Sequence, residues 1–486
     1  MTIHADQKKD IAKRLLTGAG FRLSSFIFVR LLQVLKIAVF ARLFSPKDIG
    51  VVTLSLSCVM MVSSLANFGF LESVIRKKGN SYNFSNAAFT LSIITGVVLL
   101  FLTLLFAPVL SNIFSADIDG YIRFLAFLVL IIPLQFPKVF WEKEIKFGHP
   151  SVALIIPELV SFMGAVVLEL LYHLGIWSLL FGHVLGFLLA SLYIWLLATI
   201  RPRITKIERK HTEPIMRFGA PFMLQEVNGQ VMSRGDNLIV GAYAGATQLA
   251  YYNFAWQLPL MISALTSVVE TMLFPVYARL NDSREDIIKL FNLTNKMWSI
   301  AGSFLGFPII LFADKIVYVL YGPKWAPVVP ILQIMSISFI IRFCTGYAYD
   351  NLVLVRGRTK YMMKWGFVNT FLVFSGCLFM IRKFGPIGGA WFWVLQSIIM
   401  IPLIRFPLVY QELLTLEFLN HIWQPVLCGI VASLSSYALI KLISLSPPLI
   451  FTVSITGYLA VYMTLFFILE KKFIEDVKRF ILIVRD

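Results

Sequence analysis

The sequence predicts an all-α, polytopic membrane protein, and three observations carry that expectation. Of its 486 residues, 58% are hydrophobic, and the mean hydropathy is +0.80. Charged residues make up 14%, against roughly 25% in soluble domains. Apolar runs of about 20 residues, the length that spans a bilayer as helix, recur from one end to the other. A β-barrel would instead show strands of about 10 residues in alternating pattern, and no stretch is left for a large soluble domain.

Fourteen helices are expected, at about 15–41, 47–75, 83–110, 121–140, 150–172, 176–200, 215–244, 248–276, 289–319, 326–355, 360–381, 386–411, 421–443 and 448–472. Residues 1–14 form a basic arm with Lys8, Lys9, Lys13 and Arg14. This opening lacks the small-residue cleavage site of a signal peptide and runs into a full span. Pro157, Pro221, Pro275, Pro308 and Pro402 fall in or near spans, where membrane helices tolerate proline. The alternative for each is a hinge.

The formal charge of +17 sits largely in connectors, so it argues orientation and not nucleic-acid binding. Arg76, Lys77 and Lys78 fall on one side. So do Lys138, Lys143 and Lys146, and the connector RPRITKIERKHTEP at 201–214. Arg279 and Arg284, Arg356 and Arg358, and Lys471, Lys472, Lys478 and Arg479 follow on that side. The alternate connectors are poorer in Lys and Arg, and 111–120 and 244–248 have none. The bias places the rich side and both termini in the cytoplasm. The connector 412–420 departs from the trend, having no Lys or Arg.

An internal repeat groups the helices. SPKDIGVVTLSLS at 45–57 parallels GATQLAYYNFAWQ at 245–257, matching Asp48 to Gln248 and Gly50 to Ala250. Late in each half, GIWSLLFGHVLG at 175–186 parallels GGAWFWVLQSII at 388–399. The expected organisation is a cytoplasmic arm at 1–14, a six-helix lobe at 15–200, a linker at 201–214, a six-helix lobe at 215–411, and two further helices with a basic tail at 412–486. Two such halves would be parallel repeats.

Residues 217–244 are too polar to face lipid. Glu226, Gln230, Ser233, Arg234 and Asn237 share one broad helical face, with Asp236 beside them. An ionised side chain at the bilayer centre costs roughly 3 kcal/mol on insertion scales, so such groups turn toward a partner or a watery cavity. One reading has these residues pinning helices together; the other has them lining a substrate passage. The first helix carries Arg22, Arg30, Gln33 and Lys36, with Arg22, Gln33 and Lys36 on one arc. Arg22 suits snorkelling to the membrane edge; Arg30 and Lys36 lie deeper, where Asp236 or Glu226 are candidate partners. Arg342, Asp350 and Arg405 extend the set. More basic than acidic residues lie at depth, which favours an anion, a phosphate or carboxylate, in a cavity between the two bundles. Asn, Gln and Ser on the seventh helix, with Tyr243, Tyr251, Tyr252 and Trp256, suit sugar hydroxyls and faces; interface anchoring is the other reading of those aromatics.

The chemistry of catalysis is missing from the sequence. There is no nucleotide-binding G-x-x-x-x-G-K-[ST] loop, no H-E-x-x-H and no nucleophile–base constellation. The six histidines are scattered, so no metal site is expected. Cys58, Cys344, Cys377 and Cys428 all lie in apolar stretches and read as packing residues.

ARLFSPKDIG at 41–50 and NFGFLESVIRKK at 67–78 resemble the opening of the polysaccharide transporters, the oligosaccharide flippases of the multidrug/oligosaccharidyl-lipid/polysaccharide exporter superfamily. Residues 217–243, AYYNFA at 250–255 and FPVYARL at 274–280 resemble the family's middle. YGPKWAPV at 321–328, VRGRTK at 355–360 and GPIGGAW at 385–391 continue the likeness. The resemblance implies fourteen helices, two lobes, a central cationic cavity and alternating access driven by an ion gradient (H+ or Na+) or the membrane potential. It implies transfer of an undecaprenyl-pyrophosphate-linked oligosaccharide from the inner to the outer leaflet of the bacterial cytoplasmic membrane, for O-antigen, capsule or exopolysaccharide assembly. A polymerase complex is an implied partner, beside membrane lipid. The family's motifs mark loops and helix ends, so the candidate substrate-binding residues rest on the charge argument: Arg30, Lys36, Glu226, Gln230, Arg234, Asp236, Asn237, Arg342, Asp350 and Arg405. An exporter of drugs or other amphiphiles and a non-transporting scaffold are the alternatives.

Overall fold

The computed structural model describes residues 5–470, apart from 67, 78, 80, 81, 115 and 443–446. Side chains are described from residue 20, without those of 265, 267, 268, 271 and 447–451. The expectations for Lys78 and for the tail at Lys471, Lys472, Lys478 and Arg479 lie outside the described residues, as do the side chains of the basic arm.

The described elements are helical throughout. Nine helical segments among the described residues are long and apolar enough to cross a membrane, and ten if one bent pair counts as a single span. The chain divides into two compact units, residues 1–250 and 251–486.

The first unit contains α1 (Ala5–Leu43), α2 (Pro46–Ala66), α3 (Phe70–Arg76), α4 (Tyr82–Ile113), α5 (Asp119–Ile131), α6 (Lys138–Lys143), α7 (Gly148–Tyr172), α8 (Ile176–Leu197) and α9 (Arg209–Ala244). The basic arm is not a separate element from Ala5 onward, since α1 runs through it. The span expected at 121–140 is broken: Pro133 and Pro137 cannot donate backbone bonds, and a 3-10 turn at Pro133–Gln135 separates α5 from α6. The helix expected at 47–75 is likewise interrupted before α3. The start of α2 is fixed by Pro46 in its first turn and by a reciprocal cap, in which the Asp48 amide donates to Ser45 Oγ and the Ser45 amide to Asp48 Oδ2, each at 3.2 Å.

The connectors of this unit sort by end. Lys143 Nζ donates to the Gly79 carbonyl at 2.8 Å and the Arg203 amide to Asn86 Oδ1 at 3.0 Å, which gathers three basic connectors at one end. At the other end the α1–α2 turn meets the turn after α9. There the missing side chain of Gly50 leaves room for the Ala246 carbonyl, which a Cβ would strike. Gly50→Ala is therefore expected to lower stability by about 1–3 kcal/mol, read as the unfolding midpoint in detergent; an unchanged midpoint would show that this crossing relaxes freely.

Ala246 opens α10 (Ala246–Arg279), and the division into units falls inside that helix. The second unit continues with α11 (Arg284–Leu311), α12 (Ala313–Leu320), α13 (Val328–Thr345), α14 (Tyr347–Val355), α15 (Thr359–Met400), α16 (Phe406–Leu413), α17 (Trp423–Leu442) and α18 (Pro447–Leu469). The helix expected at 289–319 bends by 78° between α11 and α12. Gly346 interrupts the one expected at 326–355. Gly385, at φ 61°, breaks α15 at the point where two helices meet; only glycine takes that backbone conformation without strain. A π-turn at Ile401–Arg405, containing Pro402, leads into α16.

Arg284 Nη2 donates to the Leu413 carbonyl at 2.9 Å, and Arg358 Nε to Glu412 Oε1 at 2.7 Å. These contacts explain why 412–420 needs no basic residue of its own: it supplies acceptors to basic residues of neighbouring connectors.

Helix α18 and the residue that follows it dock on α11 through polar pins. Tyr458 Oη donates to the Ser303 carbonyl at 3.3 Å, Tyr462 Oη lies 2.9 Å from Ser303 Oγ, and Lys296 pairs with Glu470. All five side chains are buried.

Candidate functional site

A cavity of about 290 Å³ opens within the first unit. Lys36 of α1, Gln135 of the 3-10 turn, Glu158 of α7, His183 of α8 and Arg234 of α9 supply its polar wall; Leu56 and Met60 of α2 and Phe187 of α8 are apolar. Glu158 lies near the middle of α7, so the chamber sits at depth, where an ionised group must be solvated by the protein or by admitted water. Pro157 adds to the polarity: it has no amide hydrogen for the Ala153 carbonyl, and Ala153 lines the chamber.

One carboxylate organises several donors. Lys36 Nζ lies 3.2 Å from Glu158 Oε2 and donates to Ser161 Oγ at 2.9 Å. Gln33 Nε2 donates to Glu158 Oε1 at 2.9 Å, and Arg30 Nη1 donates to Gln33 Oε1 at 2.8 Å. The Arg30 guanidinium also stands 4.9 Å from the Phe26 ring centre. Lys36 is thus paired with Glu158, not with Asp236 or Glu226 as the sequence suggested. The reason is geometric: α1 packs on α7, so the acid in reach comes from the fifth span.

Arg234 differs. Among the described residues it has no hydrogen bond and no carboxylate within 4 Å, although it lines the same chamber. Arg30 and Lys36 thus share one carboxylate, Glu158, and Arg234 adds a further cation to the chamber wall outside that network. The excess is positive, and the Arg234 fork is open for an anion. Glu158→Gln keeps an acceptor for Lys36 while removing the charge. It is expected to cost about 1–2 kcal/mol of stability and to strengthen binding of inorganic pyrophosphate; weaker binding would contradict the charge account.

The structure distributes the remaining candidates. Gln230 Nε2 lies 3.5 Å from Glu226 Oε1, one turn away on α9, and neither lines this chamber. Asp236 and Asn237 are buried, with the Asn237 amide donating to Asp236 Oδ1 at 2.8 Å. In the second unit, Arg405 Nη1 donates to Thr345 Oγ1 at 2.8 Å, and Asp350 feels the charges of both Arg405 and Arg342. Arg342 makes no ion pair within 4 Å among the described residues. Sequence reasoning overlooked Gln135, Ser161 and His183 and gave Glu158 no role in the site. Glu158 and His183 carried a readable signal, being ionisable residues well inside apolar spans.

Many membrane-crossing helices with a cationic chamber at depth define a transporter architecture, and the comparisons agree. The fold matches that of the lipid II flippase MurJ in an inward closed conformation, with a TM-score of 0.78, 15% identity, and coverage of 93% of this chain and 99% of that one. An inward-facing multidrug transporter of the MATE family matches with a TM-score of 0.62 at 14% identity, covering 86% and 98%. In sequence, the chain is 22% identical to the lipopolysaccharide biosynthesis protein WzxC of Escherichia coli (strain K12), over 88% of each chain. It is also 22% identical to the teichuronic acid biosynthesis protein TuaB of Bacillus subtilis (strain 168), over 87% of this chain and 89% of that one. The model of the polysaccharide biosynthesis protein family matches residues 39–330. The chain belongs to that family, as the resemblance read from its motifs implied.

Proposed function

We propose that this protein is a flippase that carries an undecaprenyl-pyrophosphate-linked oligosaccharide repeat unit from the inner to the outer leaflet of the bacterial cytoplasmic membrane. Its product would feed exopolysaccharide, capsule or O-antigen assembly. The observation that carries this reading is Arg234, a guanidinium at depth with no ion pair among the described residues, lining with Lys36 a chamber with surplus positive charge. The pyrophosphate meets the two cations. Sugars occupy the polar volume, and the prenyl chain stays in lipid, so the head group exchanges water for fixed donors. Relatives that are named for lipopolysaccharide and teichuronic acid biosynthesis, with the lipid II flippase as a structural likeness, support the substrate class.

The architecture supporting this mechanism is fourteen spans: two lobes of six helices and two added helices. Counting α5 with α6 as one broken span, α9 and α10 as polar spans, and α15 as two spans meeting at Gly385 brings the helices described to that number. The basic connectors face the cytoplasm, with both termini. Transport proceeds by alternating access, coupled to H+ or Na+ or to the membrane potential, and a polysaccharide polymerase complex takes up the product.

The test is reconstitution in liposomes with defined undecaprenyl-pyrophosphate oligosaccharides and a lectin reporting leaflet exposure. Protein-dependent exposure of the lipid-linked sugar is expected. Efflux of cationic drugs without such exposure would replace this reading by that of a drug exporter, and no movement of either by that of a scaffold.

A further inference from the structure

A second, smaller cavity of about 110 Å³ lies at the basic end of the first unit. Its polar walls are Arg22 of α1, Gln135 of the 3-10 turn, Lys138 and Glu142 of α6, and Ser151 in the first turn of α7. It adjoins the deep chamber: Gln135, Ala153 and Leu154 line both. Arg22 and Lys36, fourteen residues apart on α1, therefore mark successive levels separated by about 21 Å of helix rise.

The geometry points to this small cavity as a docking station for a phosphoryl group, the first step of a cationic track that ends at Lys36 and Arg234. Four observations converge. Among the described residues neither Arg22 nor Lys138 makes an ion pair within 4 Å. Arg22 is held over the Phe147 ring at 5.4 Å, which orients its guanidinium without neutralising it. Among the described residues Gln135 Nε2 is buried with no hydrogen-bond partner, a donor in the wall common to both cavities. The N-terminus of α7 reaches the cavity through Phe147, Pro150 and Ser151. It has no side-chain cap, so the positive end of a 25-residue helix adds to the field. Against two cations and that dipole stand Glu142 in the wall and Glu72 behind it, whose charge also reaches Lys138; Arg22 and the helix end are left as the positive surplus. The small volume suits a phosphate and not a sugar chain, so the head group would be captured by its phosphate before the deeper chamber takes it. This inference rests on the flippase reading for the source of the phosphate, and not for the presence of the site.

The test uses the full-length protein in nanodiscs. Its four native cysteines are all buried, which keeps thiol labelling of the unmodified chain low. Ala153→Cys places a thiol in the wall shared by the two cavities. Inorganic pyrophosphate is expected to slow its modification by a small charged thiosulfonate reagent about fivefold, and Arg22→Gln with Lys138→Gln to raise the protecting concentration about tenfold. Undecaprenyl phosphate in the nanodisc tests the lipid source, and protection by it alone, lost in the double variant, assigns the site to a lipid head group. Should the double variant fail to assemble, Arg22→Gln alone, at an exposed position, is expected to shift protection about threefold. In the liposome assay, the double variant should raise half-saturation and keep the maximal rate. Unaltered protection in the variants, or absence of protection by both ligands, would overturn the docking station while leaving transport, and with it the flippase reading, intact. Protection without any transport would uphold the phosphate site and remove the flippase reading.

Discussion

Arg234→Ala is expected to abolish translocation of a pyrophosphate-linked oligosaccharide, lowering the rate by about 30- to 100-fold, while insertion and unfolding midpoint stay close to those of the parent. The magnitude follows from losing a charge-assisted, two-oxygen contact at depth, about 2–3 kcal/mol. Stability should hold because no acid within 4 Å among the described residues depends on this guanidinium. Removing an unpaired cation from a low-dielectric site also relieves its own desolvation. Arg234→Lys retains the charge but not the planar fork and should recover part of the rate. The measurement is initial transport in liposomes at matched protein incorporation. Parent-like transport by Arg234→Ala would remove this residue from the substrate path. Lys36→Ala is a poorer probe, since it also strands Glu158.

The second large effect concerns the helices at the end of the described chain. Lys296→Met should destabilise the protein by about 3–5 kcal/mol, because Glu470 is then left buried and charged beside Tyr462. Combining it with Glu470→Leu should recover most of that loss, since two apolar groups of similar volume replace a desolvated pair. Thermal unfolding in detergent, monitored by retention of a monodisperse species, reads both outcomes. If the two substitutions simply add, the pair is not coupled and the docking of α18 on α11 rests on Tyr458 and Tyr462 instead. Transport by the double variant further separates a packing role of these helices from a direct one.

Much of the architecture was readable because membrane helices announce themselves by length and saturation. The helices near 83–110, 150–172 and 176–200 needed no tertiary information. Breaks were harder. Pro133 and Pro137 held a local signal for one, yet the span expected at 121–140 ran through both; the bend at Phe312 and the interruption at Gly346 arise from packing that no local pattern encodes. The helical wheel of α1 placed Arg22, Gln33 and Lys36 on one arc, and the two cavities follow that arc. Partner choice was not legible: Lys36 pairs with Glu158, 122 residues away, because of which helices become neighbours. For the same reason α9 could be recognised as too polar for lipid, yet its residues could not be sorted. Arg234 looks into the chamber, whereas Asp236 and Asn237 are buried.

The turns opposite the basic connectors have a practical consequence. Only two residues separate α1 from α2, one separates α9 from α10, and the two helices of α15 meet at the single non-helical residue Gly385. Faces built of such tight corners give an antibody or a protease almost nothing to grip, and an inserted epitope tag there would have to unwind a helix end. Binders raised to hold the protein still for imaging should therefore be sought against the longer 198–208 segment.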